Sequence, residues 1–228
     1  MAKQTEKEEL VRPANPIEKH QKTLSIIGGA LVGITLLYVG YTRLYLEPAE
    51  EKALGNMFYA ESYFGKDSFE LALNGNPSFM GFEEVASKYG LTKAGKLAKY
   101  YAGICHLKLG AEGDSTKSQE HYEAAADYLS SFGSGSTMLQ PMGLGAAGDA
   151  YSELGEYEKA AKYYSQAADA SDNEFTTPMY LKKAGQVYEH LGKYDQAVAA
   201  YTLIKEKYAS TSIGSQIDKY ISRAQNRK

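Results

Sequence analysis

Gly143, Gly145 and Gly148 stand in the order G-x-G-x-x-G, the spacing with which a strand-to-helix turn offers backbone amides to the pyrophosphate of a dinucleotide. That chemistry needs a strand to end where the glycines begin. Here Ala146 and Ala147 lie between them inside a helical pattern, so the glycines are read as packing residues. The single cysteine, Cys105, excludes an internal disulfide and a cysteine-based zinc site. His20, His106, His121 and His190 show no metal-ligand spacing, and packing is the expected role of Cys105 and His106. No P-loop, nucleophile elbow or H-E-x-x-H occurs. No acid, base and nucleophile come together, so the expectation is a protein that is not an enzyme and takes no cofactor, metal or small-molecule substrate.

Bulk properties narrow the classes further. At 228 residues the chain can form one well-buried domain, or a row of helical pairs with a short accessory segment. Its formal net charge is −3 and its Lys and Arg are dispersed, which argues against nucleic acid as a partner, because phosphate binding needs concentrated positive charge. Tyrosine is abundant, at 20, and tryptophan is absent.

The elements that hold these residues emerge when the chain is compared with itself. A shift from Pro141 to Pro178 superimposes Met142 on Met179, Leu144 on Leu181, Ala147 on Ala184 and Gly148 on Gly185. It continues with Tyr151 on Tyr188, Leu154 on Leu191, Gly155 on Gly192, Tyr157 on Tyr194, Ala160 on Ala197 and Tyr164 on Tyr201. Small residues here let antiparallel helices approach, Gly155 ends a helix, and the tyrosines fill the space between helices. A looser unit precedes them, with Ala102, Gly103, Leu109 and Gly110 on its first helix and Tyr122, Ala125 and Leu129 on its second, separated by a loop expected around Ala111 to Ser118. Pro48 to Tyr89 reads as two further helices with a turn near Asn74 to Pro77. At the far end Ile213, Ile217, Tyr220 and Ile221 form the apolar stripe of a helix that covers the last exposed face.

This pattern resembles the tetratricopeptide repeat (TPR) family. The resemblance implies hairpins over about 91–132, 141–171 and 178–208, a degenerate hairpin over 47–90 and a capping helix over 212–226. In that family the first helix of each pair lines a groove, which makes Tyr100, Asp149, Ser152, Glu153, Lys182, Gln186, Glu189 and His190 the candidate partner-binding residues, with a merely solvated face as the competing reading at each. The carboxylate-clamp positions of chaperone-tail TPR domains here hold Tyr100, Ile104, Ala146, Met179 and Lys183, so a clamp for chaperone C-termini is not expected.

Before the repeats, Thr23 to Thr42 carries no charge, and at about 1.5 Å per residue it reaches about 30 Å, the thickness of a bilayer's hydrocarbon core. The long polar tail before it and the lack of a small-x-small cleavage site after it favour an anchor over a cleaved signal peptide. The expected boundaries are a tail at 1–22 and a transmembrane helix at 23–46. Tyr38, Tyr41 and Tyr45 suit an interfacial belt. Ser25, Gly29, Gly33 and Gly40 lie on nearly one face and are candidates for contact with another membrane helix, although glycine is also simply common in such helices. Arg12, Lys19 and Lys22 before the span against Arg43 and Lys52 after it give a slight bias towards a cytoplasmic N-terminus.

The fold class expected is thus all-α, a single N-terminal transmembrane helix followed by a TPR α-solenoid with a C-terminal capping helix. This order of parts, with the segment Tyr89 to Ala102, resembles the bacterial ancillary Sec translocon subunit (YfgM-like) family. That resemblance implies a bacterial inner-membrane protein with a periplasmic C-terminal domain. Its implied partners are translocon channel subunits, a periplasmic chaperone and client polypeptides. An adaptor of another envelope complex and an organellar import receptor are the competing expectations.

Overall fold

The computed structural model describes residues 20–227. The chain divides into two compact units, Met1–Pro48 and Ala49–Lys228. The expected tail at 1–22 lies, as far as residue 19, outside the described residues.

In the first unit, α1 (Gln21–Tyr41) buries none of its residues. Leu24, Ile26, Val32, Ile34 and Leu36, which fall on all sides of the helix, are exposed, so it is apolar around its whole circumference, which suits a lipid environment. Among the described residues, the one helical stretch long and apolar enough to cross a membrane begins at Gln21. The Thr35 hydroxyl donates to the Leu31 carbonyl at 2.8 Å and the Thr42 hydroxyl to that of Val39 at 3.0 Å, which satisfies both polar groups within the helix itself. A π-helical turn follows at Thr42–Leu46, closed by the Glu47 amide donating to the Thr42 carbonyl. Its cause is Pro48, which has no N–H for the Leu44 carbonyl and whose ring would collide with it in a regular turn.

The second unit begins with α2 (Glu47–Phe64) and α3 (Phe69–Asn74). A two-residue antiparallel ladder follows, β1 (Gly75–Asn76) on β2 (Phe79–Met80), and then α4 (Phe82–Lys88). The sequence reads two helices here and the structure has three. The Asn76 side chain accepts the Ser78 amide at 2.8 Å in the hairpin near Asn74 to Pro77, and the additional break lies before it, between Phe64 and Phe69, where Asp67 takes a φ of +57°. Ala53, Met57 and Ala60 of α2 join Phe69, Phe82 and Val85 in a core shared with the next helix, α5 (Lys93–Glu112). Glu50 of α2 caps α5 from a distance, accepting the Lys93 and Ala94 amides at 2.6 and 3.1 Å, while Thr92 accepts from Gly95 at 2.9 Å.

Three helix pairs and a final helix complete the unit. They are α5 with α6 (Ser115–Ser130), α7 (Leu139–Glu153) with α8 (Tyr157–Asp169), and α9 (Thr176–His190) with α10 (Tyr194–Lys207). A short 3-10 turn at Gly214–Gln216 leads to α11 (Asp218–Gln225), and Ile217, Ile221 and Tyr220 seal the end of the core there. The chain is all-α apart from the small ladder. The loop expected over Ala111 to Ser118 shrinks to Gly113 and Asp114, because Asp114 accepts the Lys117 amide at 3.2 Å and starts α6 at once.

Repetition extends to atomic detail. Gly155 and Gly192 end α7 and α9 at φ of +73° and +70°, and the next amides, Glu156 and Lys193, both reach back to Tyr151 and Tyr188 carbonyls at 2.8 Å. A Cβ on Gly148 would lie 2.7 Å from the Tyr164 ring, and one on Gly185 would lie 2.3 Å from the Tyr201 ring. The ring of each second helix therefore rests on the backbone of its first. The earlier pair uses Gly103 against Leu129 and Gly110 against Tyr122 in the same manner.

The apparent dinucleotide fingerprint is accounted for in this way. Gly143, Gly145 and Gly148 are buried within α7 and receive Phe132, Tyr180 and Tyr164 from three different neighbours. No strand precedes them. Gly145→Ala, whose Cβ would fall 1.9 Å from the Tyr180 ring, is expected to destabilise the protein by about 1–3 kcal/mol despite alanine's better helix propensity. Gly55→Ala on α2 meets nothing within 4 Å and is expected to stabilise by about 0.5–1 kcal/mol. Urea unfolding of the detergent-solubilised protein, followed by circular dichroism, measures both, and equal effects of the two substitutions would contradict the contact.

Candidate functional site

The first helix of each pair carries the residues whose spacing suggested partner contact, and the structure divides them into two groups. Ser152 is half-buried, and Glu153, Gln186 and His190 are exposed, His190 lying against Tyr157 with ring centroids 4.0 Å apart. Lys182 is half-buried with its ammonium 4.8 Å from the Tyr220 ring. These side chains reach the surface. The others are engaged inside the fold. Tyr100 is 8% exposed and packs on Phe132 with ring centroids 5.5 Å apart, because the loop after α6 folds back over it.

Asp149 and Glu189 each serve a buried tyrosine. Asp149 accepts the Tyr164 hydroxyl at 2.5 Å and the Lys183 ammonium at 2.6 Å. Glu189 accepts the Tyr201 hydroxyl at 2.7 Å, and Arg223 grips both of its oxygens at 2.7 and 2.8 Å. In both cases the cation lies 34 residues beyond the carboxylate, so one unit's charge is answered by the next element of the stack. Burial works to raise the Glu189 pKa, but the hydrogen bonds from Arg223 and Tyr201 outweigh it and hold the carboxyl below its ordinary range. Burial, reinforced by the neighbouring carboxylate, pushes the phenols of Tyr164 and Tyr201 well up, so both remain donors.

A further polar cluster joins α4, α5 and α6. Glu83 Oε1 lies 3.0 Å from Nε2 of His106 and accepts the Tyr128 hydroxyl at 3.2 Å. Nδ1 of His106 lies 2.9 Å from Nδ1 of His121, so a hydrogen bond joins the two rings, one nitrogen donating and the other accepting. His106 is 8% exposed and stacks on Tyr128. The sequence reading gave His106 packing alone, since its partners are far along the chain and no local motif announces them. Neighbouring Cys105 is fully buried and burial pushes its thiol up to about 12, which leaves it inert as a nucleophile. No group of three or more His, Cys, Asp or Glu among the described residues is arranged to hold a metal ion.

Of the proposed membrane contacts, Ser25, Gly29 and Gly33 are exposed and Gly40 is half-buried. A Cβ on Gly29, Gly33 or Gly40 would meet nothing within 4 Å, so the glycines leave a smooth, open strip on α1.

Two outcomes follow from the polar clusters. The hydrogen bond from His106 holds the Glu83 carboxyl below its usual range, and burial followed by the charge of His106 holds His121 below 6.5. Both groups bind protons more readily when unfolded, so their contribution is present at neutral pH and is lost as the pH falls, first for His121 from about 6.5 downwards and then for Glu83. The groups facing His121 are His106, Glu120, Glu70 and Lys117. Thermal unfolding of His121→Asn is expected to change less between about pH 7 and pH 5 than that of the wild type, and an equal fall would refute the role of the pair. Glu189→Ala is expected to cost about 3 kcal/mol by stranding the Tyr201 hydroxyl and Arg223, whereas Gln186→Ala stays within about 0.5 kcal/mol, both read from urea unfolding.

Comparison with known families gives matches over the most regular part of the chain. Residues 144–174 and residues 183–211 each match the tetratricopeptide repeat. No curated protein matches the chain. Tetratricopeptide repeats are in general non-enzymatic, and no catalytic family is indicated. The second half of the chain therefore carries two tetratricopeptide repeats, which mark the protein as a protein-interaction scaffold.

Proposed function

We propose that this protein is a membrane-anchored TPR scaffold that associates with the Sec protein translocation channel and periplasmic chaperones and assists secretory or membrane proteins as they emerge. The observation that carries this reading is one all-round apolar helix, α1, joined in a single chain to a stack of helix pairs that contains two tetratricopeptide repeats. An anchor of this kind restricts the scaffold to a membrane surface, where its effective concentration towards other membrane proteins rises without any new contact.

Within that reading the recognition surface is Ser152, Glu153, Lys182, Gln186 and His190, the first-helix side chains outside the Asp149 and Glu189 networks. Tyr100, Asp149 and Glu189 act as the supports beneath it. In the membrane, Ser25, Gly29, Gly33 and Gly40 form the strip on which a channel helix would pack closely, since small residues allow backbones to approach where lipid provides no hydrophobic drive. The slight excess of Lys and Arg before the span supports an inner-membrane protein with its N-terminus cytoplasmic and its repeats periplasmic.

Affinity purification in mild detergent, with identification of the retained proteins, tests this directly. Channel subunits are expected with the wild type, and Gly29→Leu with Gly33→Leu is expected to reduce their recovery about tenfold, the equivalent of about 1.4 kcal/mol. Recovery of a different envelope complex without channel subunits replaces the translocon by another adaptor role. A reporter fused to the C-terminus that is active only in the cytosol would eliminate periplasmic clients.

A further inference from the structure

A cleft of about 350 Å³ opens between α2, the start of α5 and the segment that joins α6 to α7. Leu54, Leu97, Phe132 and Leu139 form its apolar wall, with Lys93 and Lys96 at its rim. It lies apart from the first-helix positions of the proposed recognition surface, none of which contributes to it. By comparison with an apolar cavity of about 150 Å³ that holds one benzene, it has room for about two bulky side chains. Leu54 is 55% exposed and Phe58, one turn further along the same helix, is 66% exposed, so the apolar surface runs out of the cleft along α2.

Two cations stand beside the cleft. Lys93 and Lys96 are exposed, and among the described residues their ammonium groups, like those of most lysines here, are in no ion pair. The one carboxylate in the wall, Glu50, is already held by two backbone amides at the start of α5. An apolar floor is thus rimmed by two ammonium groups at the start of α5, whose amides Glu50 and Thr92 already cap.

The geometry points to a second binding site here, for a short protein segment that places two bulky apolar side chains in the cleft and Asp or Glu carboxylates against Lys93 and Lys96. The apolar anchors supply the affinity and the carboxylates set the orientation, as in other grooves that take a peptide by a few side chains. A basic or purely apolar segment meets repulsion or leaves the lysines unanswered.

The test uses the full chain in nanodiscs of phosphatidylcholine and a fluorescent peptide, acetyl-Glu-Glu-Leu-Leu-Ser-Phe-Glu-Glu, with its counterpart bearing Lys in place of Glu. Fluorescence anisotropy is expected to show the acidic peptide binding about tenfold more tightly than the basic one, with the difference shrinking as salt is raised. Lys93→Gln with Lys96→Gln is expected to weaken the acidic peptide about tenfold, and Leu54→Ser, at a side chain already half in solvent, about fivefold. Circular dichroism of each variant confirms that it is folded, and Lys162→Gln, at an exposed lysine outside the cleft, leaves binding unchanged. Equal binding of the two peptides, or binding indifferent to the lysine and leucine variants, overturns the site. Lysine-dependent displacement of the peptide by nanodiscs containing phosphatidylglycerol would assign the cleft to lipid, and a lysine-dependent dimer in sedimentation would assign it to a second copy, either of which overturns the proposal. None of these readings depends on which membrane complex the protein joins.

Discussion

The fold rests on a close approach between paired helices, in which the ring of the second helix lies against a glycine of the first. In the two most regular pairs the partners are Gly148 with Tyr164 and Gly185 with Tyr201, and a Cβ at either glycine would lie no more than 2.7 Å from the ring. Such a contact brings the phenol deep into the stack, and a buried hydroxyl must find an acceptor. Asp149 and Glu189 supply it. A carboxylate in that position in turn requires a cation, and the cation comes from the following element, Lys183 on α9 or Arg223 on α11. One steric choice thus propagates into a chain of polar contacts that ties each unit to the next, which is how a stack of otherwise similar hairpins fixes its order.

The two versions of this chain are not copies. Under the internal shift Asp149 corresponds to Gln186, and Glu189 corresponds to Ser152, so the acceptor moves along by nearly one helical turn while the tyrosine stays in place. The longer glutamate side chain reaches back over that turn to the same hydroxyl. The geometric demand of the phenol is conserved between the units, while the residue that meets it is not. A motif search for repeated acids finds nothing, although the physical function repeats.

This explains which parts of the molecule could be seen in the sequence. The helix pairs, the helix-ending glycines and the apolar stripe of α11 depend on residue type at fixed local spacing, and the self-comparison exposes them. Glu50 on the start of α5, the Glu83 and His106 pair, and the folding of Phe132 over Tyr100 depend on residues brought together from different elements. No local period marks them. The division of the first-helix positions was invisible for the same reason: Glu189 and Gln186 are both polar residues on one helix, and only the placement of Tyr201 and Arg223 decides that one is buried and the other exposed. The loop expected after Ala111 vanished because its polar composition was read as length, when its aspartate is a helix cap.

The same network limits where recognition can occur. A side chain that neutralises a buried partner cannot also change its contacts for a ligand without leaving a charge or hydroxyl unpaired, a loss comparable to the gain from a typical new contact. Asp149 and Glu189 are therefore poor candidates for direct binding even though they are charged and belong to the helices that face a partner in such arrays. In the proposed function, variation in what is bound falls to residues such as Ser152, Gln186 and His190, which lie outside the Asp149 and Glu189 networks. Separation of this kind, a fixed polar interior beneath a freely variable surface, is what allows a stack of helical pairs to change its partner without changing its fold.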